Sequence, residues 1–242
     1  MPTKPTITRA MLLAAGFGTR MRPLTESRPK PLVEAGGKAL LDHNLDHLAA
    51  AGISECVVNV HYLGEQIIRH VEGRKNPRVT ISDERAGILD SGGGVLKALP
   101  LLGTGPFLSL NADTIWVDGP RNNLARMIEA FDPATMDVLL LVAPTVTTIG
   151  WDNRGDFILA QDGQLSRPPK GTVAPFAYTG AAVLKPEYFA GKPEKFSLNR
   201  IFDEASAKNR LFGLRLDGIF MHVGTPEALA EAERALQRST IR

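Results

Sequence analysis

A chain of 242 residues, 43% of them apolar, has the material for one large α/β domain with a full core, although length alone also suits two small ones. The formal net charge is only +2, which argues against a surface built to coat a polyanion, so nucleic acid is not an expected partner. Cys56 is the only cysteine and sits in an apolar segment; it reads as core, and a reducing, cytoplasmic compartment is the simpler expectation. No segment reaches the ~20 apolar residues of a membrane span.

The chain opens with Lys4 and Arg9 ahead of a short apolar run, a faint imitation of a secretory leader. That run, Met11 to Ala15, reads instead as a buried parallel strand. It empties into Gly16-Phe17-Gly18-Thr19-Arg20, where glycines leave backbone N–H groups free to face phosphate oxygens. Arg20 adds a fork-shaped cation, and Lys30, between Pro29 and Pro31, adds a point cation. Two familiar phosphate loops are excluded: Met21 stands where a dinucleotide fingerprint needs its third glycine, and Gly-Lys-Ser/Thr occurs nowhere. A plain glycine-rich turn with solvated cations would explain the first five residues equally well; the run Pro29-Lys30-Pro31-Leu32 favours the phosphate reading.

Beyond Leu32 strands and helices alternate. Leu40, Leu41, Leu45, Leu48 and Ala49 share a helical face, Gly52 ends the helix, and Cys56 to Val60 is a strand. A helix from about Gly64, a strand near Val79–Ile81, a helix from Gly93 to Leu101 and a strand Phe107–Leu110 follow. Such alternation predicts an α/β fold, a Rossmann-like, mostly parallel sheet with helices on both faces and ligands at the carboxyl ends of the strands. Asp113 follows one of those strands directly, where a carboxylate can hold a hard cation against phosphate or cap a turn. A second glycine-rich passage, Ala86 to Gly94, allows close approach to a flat ring. Later come a helix near Leu124–Phe131, a strand Val138–Ala143, a hairpin turning at Asp162-Gly163, an amphipathic helix with Leu198, Ile201, Phe202 and Ala205 inward, and a last helix capped by Thr225-Pro226.

The stretch GFGTRMRPLTESRPKPL resembles the signature of the sugar-phosphate nucleotidyltransferases, which join a sugar 1-phosphate to a nucleoside triphosphate and release pyrophosphate. The resemblance covers nearly the whole chain and implies one domain over residues 1–242. Within it, residues 8–118 would form a nucleotide-binding half and residues 119–242 a sugar-binding half, with the hairpin as a small lid over the sugar. It implies nucleotide contacts from Ala14, Ala15, Gly16, Gly18, Thr19, Arg20 and Lys30, with Ser91 and Gly92 on the base side. Arg20 and Lys30 take the catalytic positions. On the sugar-phosphate side it implies Asn111, Gly155 and Thr179, and Asp113 matches an aspartate that binds magnesium.

Three departures are visible. The family often has Gly-Thr-Ala-Gly where this chain has Asp90-Ser91-Gly92-Gly93. Its Glu-Lys-Pro is missing, leaving Arg167 or Lys170 as candidate phosphate partners, and equally as solvated hairpin residues. His222 stands where a second metal-binding aspartate is usual, which suits manganese better than magnesium and leaves that ligand open. The overall pattern resembles the short N-acetylmuramate 1-phosphate uridylyltransferases of bacterial cell-wall recycling, using UTP. Mannose-1-phosphate guanylyltransferases, using GTP, are the alternative, and a nucleotide sensor without turnover is a third reading.

Overall fold

The computed structural model describes residues 6–240, so Lys4 of the leader-like start lies outside the described residues. In chain order the elements are β1 (Arg9–Leu13), a short hairpin of β2 (Glu34–Ala35) and β3 (Lys38–Ala39), α1 (Leu40–Ala50), β4 (Glu55–Val60), α2 (Gly64–Val71), β5 (Arg78–Asp83), α3 (Asp90–Leu102), β6 (Phe107–Asn111) and β7 (Thr114–Asp118). Then follow α4 (Asn123–Ala130), β8 (Val138–Pro144), β9 (Ile158–Leu159), β10 (Leu165–Ser166), β11 (Phe176–Leu184), α5 (Asn199–Ala207), β12 (Leu211–Arg215), β13 (Gly218–His222) and α6 (Pro226–Thr240).

Seven strands form the central sheet in the order β12-β8-β11-β6-β1-β4-β5, all parallel except β11. β1 lies inside it, and its residues Ala10, Met11 and Leu12 are fully buried, because a strand covered on both faces has no reason to alternate. Ala10 and Leu12 pack with Leu41, Leu45 and Leu48 of α1, Ile67 of α2 and Leu124 of α4. Met11 points the other way, into Val95 and Ala98 of α3 and Ile201 and Phe202 of α5. Helices therefore cover both faces, as the alternation predicts. Cys56 is core, and burial pushes its thiol up to about 12, so it stays protonated and unreactive.

Two features depart from the sequence reading. Helix α3 begins at Asp90 rather than Gly93, because the Phe196 carbonyl accepts from both the Gly92 and Gly93 N–H groups and closes the first turn from outside. The hairpin at Asp162-Gly163 forms as β9 and β10, but its tip is tied to β12 by the Gly213 N–H donating to the Gly163 carbonyl at 2.8 Å. Leu165 packs beside Gly213, where any larger residue would collide with it. The hairpin tip thus lies against the edge strand, and of the segment entering it Gly150 and Trp151 stand against His222.

A separate antiparallel ladder, β7 with β13, rises beside the sheet and pairs His222 with Thr114. It places a residue from near the chain's last helix next to Asp113. Helix α6 and the β2–β3 hairpin close this corner around Met21, Val33, Leu40, Ile115, Met221 and Val223.

Candidate active site

The carboxyl ends of β1, β4 and β6 open into a cleft of about 320 Å³, lined by Ala14, Ala15, Gly16, Gly18, Thr19, Arg20, Lys30, Asn59, Glu84, Asp90, Ser91, Asn111 and Asp113 among others. Most of the residues named from the sequence meet here. The loop after β1 leaves the sheet at Ala14, whose N–H donates to Asn59 Oδ1 at 2.7 Å. Gly18 has φ +63, and a Cβ there would sit 2.9 Å from the Lys30 Cβ, so both conformation and space require glycine. Gly16 has no such packing reason, since a Cβ would meet nothing within 4 Å. Its bare backbone leaves room on the cleft side. The loop is fastened by the Thr25 hydroxyl on the Gly18 carbonyl, at 2.8 Å, and by the Tyr62 hydroxyl on the Thr25 carbonyl, at 2.9 Å.

Lys30 is 6% exposed, and its Nζ donates to Asp113 Oδ2 at 2.8 Å. The short helical turn Lys30–Leu32, started by Pro31, aims the side chain inward. Arg20 stands on the loop's one-turn helix, free of any carboxylate partner among the described residues. The loop thus brings two cations to one carboxylate, leaving a net positive charge where a polyphosphate needs it. His222 stands beside them. Burial lowers the pKa of its imidazole; Asp113 opposes that shift, while Lys30 and Arg20 reinforce it, so the ring is neutral at pH 7. It meets Trp151 edge to face at 5.3 Å, and Gly224 leaves space for it, since a Cβ there would lie 2.9 Å from Nε2.

No group of three His, Cys, Asp or Glu side chains suited to a metal occurs among the described residues. The donor set fits a hard cation held by one carboxylate, Asp113, with the remaining oxygens from phosphates and water, which is how magnesium is commonly bound beside nucleotides.

The other end of the cleft holds what the sequence reading missed. Glu84 is 1% exposed; its Oε1 accepts from Asn59 Nδ2 at 2.7 Å, and its Oε2 has no hydrogen-bond partner. A Cβ on Gly94 would lie 2.8 Å from Oε1, so that glycine makes room for the carboxylate. A carboxylate oxygen without a donor in a buried site is costly, and here it is sealed behind the cleft wall that Glu84 helps to form. The only sequence signal was a glutamate directly after an apolar-patterned strand, with glycines following.

Gly92, Thr179, Arg167, Gly155 and Lys170, five of the expected residues, are absent from the cleft lining. Gly92 is not free to meet a base: its N–H is bound to the Phe196 carbonyl, and a Cβ there would lie 2.4 Å from the Phe196 ring, so packing demands this glycine. Ser91 does line the cleft, though its hydroxyl accepts from the Leu198 N–H at 3.0 Å. Thr179 is fully buried with its hydroxyl donating to the Leu141 carbonyl, so its side chain is structural; the backbone bulge it shares with Gly180 packs on Asn111, which does line the cleft. Arg167 pairs with Asp203 at 3.0 Å and Asn199 at 2.8 Å and lies over the Phe157 ring, fixed on α5 outside the cleft. Gly155, at φ +77, has the Ala174 carbonyl 2.2 Å from where its Cβ would be, a packing requirement, and Lys170 is exposed and does not line the cleft.

Residues 9–148 match the Nucleotidyl transferase family. The chain belongs to that family. It is 44% identical to the N-acetylmuramate alpha-1-phosphate uridylyltransferase of Caulobacter vibrioides, with 94% of this chain and 96% of the relative aligned. It is 35% identical to the enzyme of the same name from Neisseria meningitidis serogroup B, over 93% of this chain and 96% of that one. The catalytic subunit beta of a mannose-1-phosphate guanylyltransferase from Dictyostelium discoideum is more distant, at 29% identity with 62% of its length covered. In fold the chain resembles a UDP-glucose pyrophosphorylase solved with UDP-glucose, with a TM-score of 0.77 over 97% of this chain and all of that one, at 16% identity.

Proposed function

We propose that this nucleotidyltransferase joins UTP to N-acetylmuramate 1-phosphate, giving the UDP-sugar and pyrophosphate, within cell-wall recycling in the cytoplasm. The observation carrying this reading is the 44% identity, across 94% of the chain, to a protein named for that activity, and the cleft of this chain gathers Arg20 and Lys30 where such a reaction needs them. An oxygen of the sugar phosphate attacks the α-phosphorus, the bond to the bridging oxygen of pyrophosphate breaks, and the nucleotide leaves as a diphospho-sugar. No protein nucleophile is required; positioning and charge neutralisation suffice. Arg20 takes the departing pyrophosphate and Lys30 the α-phosphate, giving up its pairing with Asp113. Asp113, with His222 beside it, would hold magnesium or manganese, which supplies further charge neutralisation at the phosphates.

Glu84 bears on the base. Its carboxylate lines the cleft and suits a ring N–H, which uracil and guanine present and cytosine and adenine do not. Guanine answers it as uracil does, so a guanylyltransferase using mannose 1-phosphate is the second reading. The test is pyrophosphate release from each of the four triphosphates against a panel of sugar 1-phosphates, with and without divalent metal. UTP with N-acetylmuramate 1-phosphate should give the highest kcat/KM, and only with metal. Nucleotide binding without turnover of any pair would favour a sensor instead.

A further inference from the structure

Asp90 is the residue at the nucleoside end of the cleft that neither the family signature nor packing explains. Its φ is +63, a left-handed conformation that glycine adopts freely and other residues adopt at a cost, and the family often has glycine here. Gly92 and Gly93, two and three positions on, are demanded by Phe196 and Glu194; nothing of that kind demands a side chain at 90. The carboxylate is nevertheless held. Its Oδ1 accepts from the Ser91 N–H at 2.6 Å and from the Ser91 hydroxyl at 3.3 Å, and that hydroxyl in turn accepts from Leu198 N–H at 3.0 Å. Oδ2 has no protein donor among the described residues, and Asp90 lines the same cleft as Glu84.

Unlike Asp113, which has Lys30 beside it, Asp90 has no cationic partner among the described residues, so its carboxylate repels the phosphates and must stand away from them and meet a donor. The donors a nucleoside offers are its base N–H groups and its ribose hydroxyls. Glu84, almost wholly buried, forms part of the cleft floor and suits the flat base. Asp90, exposed at the rim, is left for the part of the nucleoside between base and phosphates.

We propose that Asp90 binds the ribose hydroxyls of the incoming triphosphate and makes the enzyme select ribonucleotides over deoxyribonucleotides. Carboxylates recognise ribose 2′-hydroxyls in the same manner at dinucleotide sites of doubly wound folds. A site built to hydrogen-bond a hydroxyl discriminates strongly against the analogue lacking it, because the site's own polar atom is left unpaired. The inference rests on the proposed nucleotidyl transfer but not on the identity of base or sugar.

The experiment compares kcat/KM for UTP and 2′-deoxy-UTP, with calorimetric binding of both, in the wild type and two variants. The wild type should favour UTP by roughly tenfold or more. In Asp90→Gly, which restores the family residue and relieves the backbone, the ratio should fall to within about twofold of one while the melting temperature stays or rises. Asp90→Asn, which tolerates the same backbone and still accepts a hydrogen bond, should keep an intermediate ratio. A wild type that does not discriminate, an Asp90→Gly enzyme that keeps the ratio, or one that loses both nucleotides equally overturns the proposal. Should UTP fail to bind while GTP binds, the same ratio with 2′-deoxy-GTP decides it; discrimination through Asp90 there would sink the uridine reading and keep this one.

Discussion

Two Lys–Asp pairs lie at opposite ends of the sheet, and they differ in one respect. At the carboxyl end of β6, Asp113 has a single partner, Lys30, and a side chain one-third exposed to the cleft. At the other end Asp137 is 9% exposed and takes Lys185 at 2.7 Å, Arg210 at 2.6 Å and the Tyr188 hydroxyl, tying β8 to the end of β11 and the start of β12. Burial alone would raise the Asp137 carboxyl, but the hydrogen bonds from Arg210, Lys185 and Tyr188 outweigh it and hold it well below the usual carboxylate range. A saturated carboxylate is a rivet; an unsaturated one facing a cleft is available for chemistry. The first costs stability when removed and the second costs rate.

The contrast breaks most visibly at Asp113. Asp113→Ala should lower kcat about a thousandfold, and Arg20→Ala or Lys30→Ala about a hundredfold, the range for losing preorganised charge stabilisation. Melting temperatures should change little in Asp113→Ala, whose carboxylate is partly exposed. A variant that unfolds instead of losing rate would put Asp113 in the same class as Asp137.

Asp137→Asn is the converse. It should cost about 3 kcal/mol of stability, roughly 6–12 °C in Tm for a chain of this size, with kcat at permissive temperature unchanged. The sign with pH follows from the depressed folded carboxyl. Its contribution is complete above the unfolded value of about 3.9 and is lost as pH falls below about 4 toward the folded value. Chemical denaturation of the wild type should therefore weaken more steeply below about pH 4 than that of Asp137→Asn; parallel curves would mean that the cluster is not the cause.

The smallest effect belongs to Arg167. Because its guanidinium is engaged by Asp203 and Asn199 on α5, Arg167→Ala should leave kcat/KM for both substrates within about twofold, as exposed pairs contribute little. A hundredfold loss would return it to the sugar phosphate.

The difference between the two ends also explains what could be read from the chain. The phosphate end was legible because its parts are contiguous: a strand, a glycine loop, Arg20 and Lys30 lie within twenty residues, and each announces its role by type. The nucleoside end was not. Glu84 acquires meaning only through Asn59 and Gly94, which the sheet brings to it, and its unpartnered oxygen is a property of packing. Gly92, Gly155 and Thr179 show the same limit, since a residue demanded by a neighbour's bulk or hydrogen bond looks in sequence like one demanded by a ligand. Periodicity served the helices and parallel strands well, whereas the β7–β13 ladder, a pairing across a hundred residues, left no local trace.

That ladder has a bearing on how the protein is made. Strand β1 and the phosphate loop leave the ribosome early, yet the wall against Asp113 is His222 to Gly224, and Leu236 of α6 packs on Gly36 of the β2–β3 hairpin. Contacts of such sequence separation are late and slow to close, because the loop entropy is paid before they form. A nascent chain lacking its last thirty residues would carry the phosphate loop and its cations without the strand that encloses them. Nucleotide binding should accordingly switch on only once β13 and α6 have formed, and resistance of this corner to proteases should rise at the same point.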